Sequence, residues 1–160
     1  MDSKDNQKVN FRLLVDSIFT VDQLISVKDD IRTISGILYK IRPGSFSNQI
    51  KTKVGPNLNF YISSLEAEGR LPAPSSLGNF LADLARFLDN IDKITLTLAF
   101  APSLDFQKEV VLWLEKNLGK KIIADFAVDE AIIAGLVIEY MGKYKDYSKA
   151  SEIKLGIQTA

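Results

Sequence analysis

The chain has 160 residues, 46% hydrophobic and 25% charged, enough for one globular domain or two small ones, and is not a disordered, fibrous or disulfide-built chain. Twenty Lys and Arg balance twenty Asp and Glu, so the positive surplus that draws proteins to nucleic acid or anionic membranes is missing, and nucleic acid is not an expected partner. With no Cys and no His, thiol nucleophiles, thiolate and imidazole metal sites, Ser-His-Asp triads and imidazole acid–base chemistry are excluded together, so no enzyme, metal or cofactor is expected.

Asn10 to Phe19 carries Phe11, Leu14, Val15, Ile18 and Phe19 at helical spacing and predicts a short helix. From Thr20 to Arg42 the apolar positions Leu24, Val27, Ile31, Ile34, Leu38 and Ile41 step by three and four, which lays one stripe along an amphipathic helix. Thr20 with Gln23 fits a capping box, and Pro43-Gly44 stops the pattern. Ser47 to Glu68 predicts a further helix, broken or kinked at Gly55-Pro56 because proline lacks a donor and its ring crowds the preceding turn. Gly69 to Ser76, with Pro72 and Pro74, predicts an extended connector. A last amphipathic helix runs through Leu77, Phe80, Leu81, Leu84, Phe87, Leu88 and Ile91.

After Asp92 the period changes to two. Lys93 to Phe100 alternates apolar and threonine side chains as a half-buried strand does. Pro102-Ser103 opens a helix over Leu104 to Leu118, with Phe106, Val110, Trp113, Leu114 and Leu118 expected inward and Gly119 as its cap. Lys121 to Val128 predicts a second strand, Asp129 the cap of one helical turn through Ile133, and Gly135 to Met141 a third strand. That strand turns at Gly142-Lys143 into Tyr144 to Tyr147; Ser148 to Leu155 predicts a short helix with a loose tail after Gly156. The expected architecture is an N-terminal all-α helical bundle over residues 1–91 and a small C-terminal α+β domain, strand-helix-strand-hairpin, over 92–160. The second has a thin core that docking should strengthen.

The start of the chain lacks an apolar signal core, and no apolar run reaches the roughly 18 residues that span a bilayer, so a cytosolic protein without direct membrane insertion is expected. Asp89, Asp92 and Asp129-Glu130 read as caps and solvated charges, since no histidine, metal-ligand spacing or glycine loop accompanies them. Arg42-Pro43-Gly44-Ser45 and Gly142-Lys143 read as turns rather than phosphate loops. Tyr140, Tyr144 and Tyr147 alternate in the closing hairpin, where interface contact and cross-strand packing explain them equally. What these residues leave open is a protein-binding module.

The stretch Asp129-Glu-Ala-Ile-Ile-Ala-Gly-Leu-Val-Ile138 resembles the C-terminal signature of the F-type ATP synthase delta subunit, the oligomycin sensitivity conferral protein family. Asp129, Ile133, Gly135 and the strand after it match, while Glu130 stands for the family's proline and Ala134 for its first glycine. Asp146-Tyr147-Ser148 resembles the family's Asp-x-Ser ending, Thr97-Leu-Ala-Phe-Ala-Pro-Ser-Leu104 its strand and helix start, and Leu118-Gly-Lys-Lys121 its helix-to-strand join. The matches keep the family's order over residues 80 to 155, ahead of which the helical domain is shorter than the family's six-helix bundle. The resemblance implies a non-catalytic peripheral-stalk subunit without cofactor, one copy per complex, at the cytoplasmic face of a bacterial plasma membrane. It also implies that the groove beside Leu24, Val27, Ile31, Ile34, Leu38 and Ile41 holds the N-terminus of an alpha subunit, and that the 93–148 unit holds the b subunit. The alternative is a free-standing cytosolic adaptor that shares only the C-terminal fold.

Overall fold

The stripe from Leu24 to Ile34 builds the longest helix among the described residues. In the computed structural model, which describes residues 11–148, it is α2 (Val21–Ile37), with Leu24, Val27, Ile31 and Ile34 buried. Before it lies α1 (11–15), whose Phe11 ring stands 5.6 Å from Phe80 and 5.4 Å from Phe87. The helix expected as far as Phe19 stops short, because Phe19 is used elsewhere. α2 ends before Arg42, tightening into a 3-10 turn at Leu38–Lys40 closed by Ile41 N–H on the Leu38 carbonyl at 3.2 Å.

Gly55-Pro56 separates two helices instead of kinking one. α3 (Phe46–Ile50) is capped by Ser45, and α4 (Pro56–Ala67) takes Pro56 into its first turn, where a missing N–H leaves no bond unmade. Gly55 N–H donates to Asp30 Oδ2 of α2 at 2.8 Å. α5 (Pro74–Asp89) starts at Pro74, three residues ahead of the expected Leu77, by the same logic, and buries Leu77, Phe80, Leu81, Leu84 and Leu88. Each of these buried apolar side chains contributes about 2 kcal/mol of transfer free energy.

The alternating stretch becomes β1 (Asp92–Leu98), with Ile94, Leu96 and Leu98 buried and the threonines between them half-buried. It is followed by α6 (Leu104–Leu118), β2 (Ile122–Val128), β3 (Leu136–Tyr140) and β4 (Lys143–Asp146). The strand order is β2-β1-β3-β4. β1 and β2 are parallel, as the α6 crossover requires; β1 with β3 and β3 with β4 are antiparallel. β3 and β4 join through Met141 and Gly142, both with positive φ, a two-residue hairpin turn placed one residue before the expected Gly142-Lys143. Helical and α+β parts are thus both present. Beyond Ser148, the helix expected to Leu155 and the tail lie outside the described residues.

Among the described residues, one unit comprises residues 11–18 with Asp22–Asn90, and the other comprises Phe19–Val21 with residues 91–148. The expected boundary after residue 91 overlooked that Phe19–Val21 serves the sheet. Ala124 N–H donates to the Phe19 carbonyl at 2.9 Å, Thr20 forms a parallel bridge with Ala124, and the Phe19 ring packs on the cluster of Ile94, Leu96, Val111, Leu114, Ile122 and Ala124. Lys121 Nζ lies 4.9 Å from that ring's centre while paired with Glu115 at 2.6 Å.

Candidate protein-binding surfaces

The residues of the Asp129 to Ser148 signature make two turns and one close approach. Asp129 Oδ1 accepts the Ala131 N–H at 2.9 Å, and the Asp129 carbonyl accepts the Ile132 N–H at 3.1 Å. This is a side-chain-closed turn and not the helical turn expected through Ile133, because the chain must reverse at once to return as β3. Ile132, not Ile133, is buried; Ile133 is exposed and Ala134 half-buried. Asp146 Oδ1 accepts the Ser148 N–H at 2.7 Å, and Ser148 is buried. Between these turns Gly135 has φ +97°, and a Cβ there would stand 2.2 Å from the Tyr147 carbonyl oxygen and 2.9 Å from Ser148 Cα. Only glycine fits, and the signature joins its own two ends at that point. Tyr147 N–H on the Leu136 carbonyl, 2.9 Å, completes the join.

The partner stripe divides. Leu24, Val27, Ile31 and Ile34 are 0–3% exposed, spent on the helical unit's own core, so the expectation that they line an open groove is corrected. Leu38 and Ile41 are half-buried and border a cavity of about 480 Å³ with Pro43, Phe46, Leu71 and Leu77. Glu66 stands at its wall and binds the start of α3: its carboxylate accepts Phe46 N–H at 2.6 Å, Ser47 N–H at 3.2 Å, and the hydroxyls of Ser45 and Ser47 at 3.0 and 2.5 Å. Partial burial pushes the Glu66 carboxyl up, but these bonds together outweigh it and hold it below its ordinary value of 4.5. The start of α3, directly after the Arg42 to Ser45 turn, therefore has its anion supplied from within the fold, while the Arg42 backbone exchanges two bonds of 2.9 Å with the Gln49 side chain.

In the second unit, α6 buries Val111 and Leu114 but leaves Trp113 62%, Leu118 41% and Phe106 37% exposed. The expectation of all three inside fails because only a narrow strip of α6 faces the sheet; Phe106 packs edge-on to Phe100 at 5.7 Å instead. Beside α6 the sheet is open. Leu114 and Leu118 form one wall of a groove of about 690 Å³, Ile94, Ile138 and Tyr140 its floor, and β4 its far side. Sequence reasoning missed this groove, which depends on how far one helix reaches across four strands.

Three of the carboxylates considered for chemistry, Asp89, Asp92 and Asp129, are engaged in ion pairs or hydrogen bonds within the fold. Asp89 pairs with Lys28; Asp92 binds Lys120 at 2.5 Å and accepts the Tyr140 hydroxyl at 3.3 Å. The Lys120 contact holds Asp92 below the usual carboxylate range and pushes Lys120 up to about 12. Among the described residues no group of three acidic side chains is placed to hold a metal, and no helix is long and apolar enough to cross a membrane.

Over residues 42–155, more than half of the chain, the sequence matches the family model of the ATP synthase delta (OSCP) subunit. The chain belongs to that family. Its relatives include the ATP synthase subunit delta of Maridesulfovibrio salexigens, 32% identical over 108 residues covering 66% of this chain and 57% of that protein. The ATP synthase subunit delta of Solidesulfovibrio magneticus is 30% identical over 105 residues, covering 64% of this chain and 57% of that one. This delta-family chain thus aligns to 57% of the length of each. Among solved structures, a chain of the Polytomella F-ATP synthase aligns with 44% of this chain and 90% of its own, at 21% identity and TM-score 0.36. A chain of the Toxoplasma gondii mitochondrial ATP synthase hexamer aligns with 99% and 98%, at 12% identity and TM-score 0.37.

Proposed function

We propose that the chain is a non-catalytic peripheral-stalk subunit of a proton-translocating F-type ATP synthase, joining the catalytic head to the b subunits and resisting rotary torque. The observation that carries this is the family match over residues 42–155, which takes in part of the helical unit as well as the signature that closes on Gly135. The Leu38–Ile41 cavity supports an alpha-subunit contact on the helical unit, because it is the part of the stripe still open to an apolar helix. Within a bacterium the protein then sits at the cytoplasmic face of the plasma membrane, held by the complex.

Calorimetric titration of the full chain with a synthetic alpha-subunit N-terminal peptide from the same genome tests this reading. Micromolar or tighter binding, lost in Leu38→Glu and Ile41→Glu variants that remain folded, is the expected result. A folded chain that binds neither this peptide nor a b-subunit peptide would move the assignment to the free-standing adaptor.

A further inference from the structure

Charge is balanced over the whole chain but not along it. Between Asp30 and Glu66 there is no Asp or Glu, while Arg32, Lys40, Arg42, Lys51 and Lys53 all fall in that interval. Three of these basic side chains converge. Lys40 at the end of the 3-10 turn, Arg42 two residues on, and Lys53 just past α3 line one pocket of about 200 Å³, whose apolar walls are Ile37, Ile41 and Ile50. Gln49 fixes this corner, since its side chain holds both the N–H and the carbonyl of Arg42. The three basic side chains are exposed and form no ion pair among the described residues, and no carboxylate lines the pocket. Lys40 Nζ lies 5.2 Å from the centre of the exposed Tyr39 ring. The acids that bracket the stretch are committed elsewhere: Asp30 accepts Gly55 N–H, and Glu66 binds the start of α3. Three like charges around so small a space repel one another, and a multivalent anion between them removes that cost.

We infer that this pocket binds a phosphate-monoester or polyphosphate group. The occupant is compact, because the space is too small for the apolar stripe of a helix. A single carboxylate would leave two of the three cations unmatched, whereas a phosphate monoester carries about −1.5 to −2 charge at neutral pH and a polyphosphate carries more. Arg42 supplies the forked donor that suits phosphate oxygens, and the two ammonium groups act as point charges beside it. Recognition is by side chains, so the Arg42 to Ser45 segment remains a turn and not a phosphate loop. The pocket goes beyond the stalk reading and stands or falls without it.

Calorimetric titration of the full chain with inorganic triphosphate tests the pocket, with NMR amide shifts locating the site. One triphosphate per chain is expected, with the largest shifts at residues 40–42 and 53. The double variant Arg42→Gln with Lys53→Gln should weaken binding at least about tenfold, while a charge-matched control in the other unit, Lys116→Gln with Lys143→Gln, should change it less than about twofold. Sedimentation with phosphatidic acid vesicles separates the two sources of such a group. Vesicle binding abolished by the Arg42 and Lys53 variant assigns a lipid headgroup; triphosphate binding without vesicle binding assigns a free phosphate compound. Equal weakening by both double variants would show diffuse charge attraction and overturn the pocket. Failure of the folded chain to bind triphosphate would overturn it as well, and so would equally tight binding of a Glu-rich peptide of matched charge, which moves the site to an acidic partner.

Discussion

Gly135 is the position where one residue decides a whole junction. Its φ of +97° and the 2.2 Å from a hypothetical Cβ to the Tyr147 carbonyl leave no room for a side chain, and the obstacle is backbone that cannot swing away. Gly135→Val should cost about 3 kcal/mol or more, combining positive-φ strain with overpacking, measured by urea denaturation. A neutral result would contradict the close passage. Asp129 is a milder case: Asp129→Ala removes one turn bond in an exposed loop and should cost about 1 kcal/mol, with no activity attached to the loss. The close backbone approach at Gly135 was legible in the sequence, because a glycine at the start of a strand marks a place where another stretch of backbone passes close by. That Asp129 closes a turn instead of starting a helix was not legible, since it depends on the chain returning at once to pair beside β1.

At the scale of elements, periodicity told the long helices from the strands, whereas the prolines at 56 and 74, expected to break a helix and to extend a connector, stand in the first turns of α4 and α5. What periodicity hid was allegiance. Phe19 carries the spacing of a helix residue, yet its ring and carbonyl belong to the sheet, a long-range pairing that no local window contains. Phe19→Ala should destabilise the sheet unit by about 2 kcal/mol, seen as faster amide exchange in β1 and β2 with α3 and α4 unchanged. Uniform acceleration across the chain would refute that local assignment. Glu66 ties α3 to α4 in the same long-range way. Its carboxyl is held below 4.5 in the folded state, so between the lowered value and the ordinary one the unfolded chain binds more protons. The contribution of Glu66 is therefore full above about pH 4.5 and fades as pH falls through the lowered value. Glu66→Gln should lower the melting temperature at pH 7 and flatten this acid dependence. A variant with the wild-type acid slope would show that another group is responsible.

Over the whole molecule, zero net charge and the absence of Cys and His made binding the expected class of work, and the described residues form two open surfaces suited to it: an apolar cavity beside Leu38 and Ile41, and a lysine-edged groove beside Leu118. Four of the six stripe residues expected at a partner turned out to be core, because amphipathic spacing reports which side of a helix is apolar and not what covers it. Trp113 shows the converse, an aromatic on an apolar-looking face that the sheet does not reach. The most direct measurement of the central claim is purification of the intact ATP synthase from membranes of the source organism, followed by quantitative mass spectrometry and cryo-electron microscopy of the complex. The account predicts this chain at one copy per enzyme, positioned between the catalytic head and the b subunits. An intact enzyme whose stalk position is filled by a different polypeptide, with this chain absent from the complex, would contradict it.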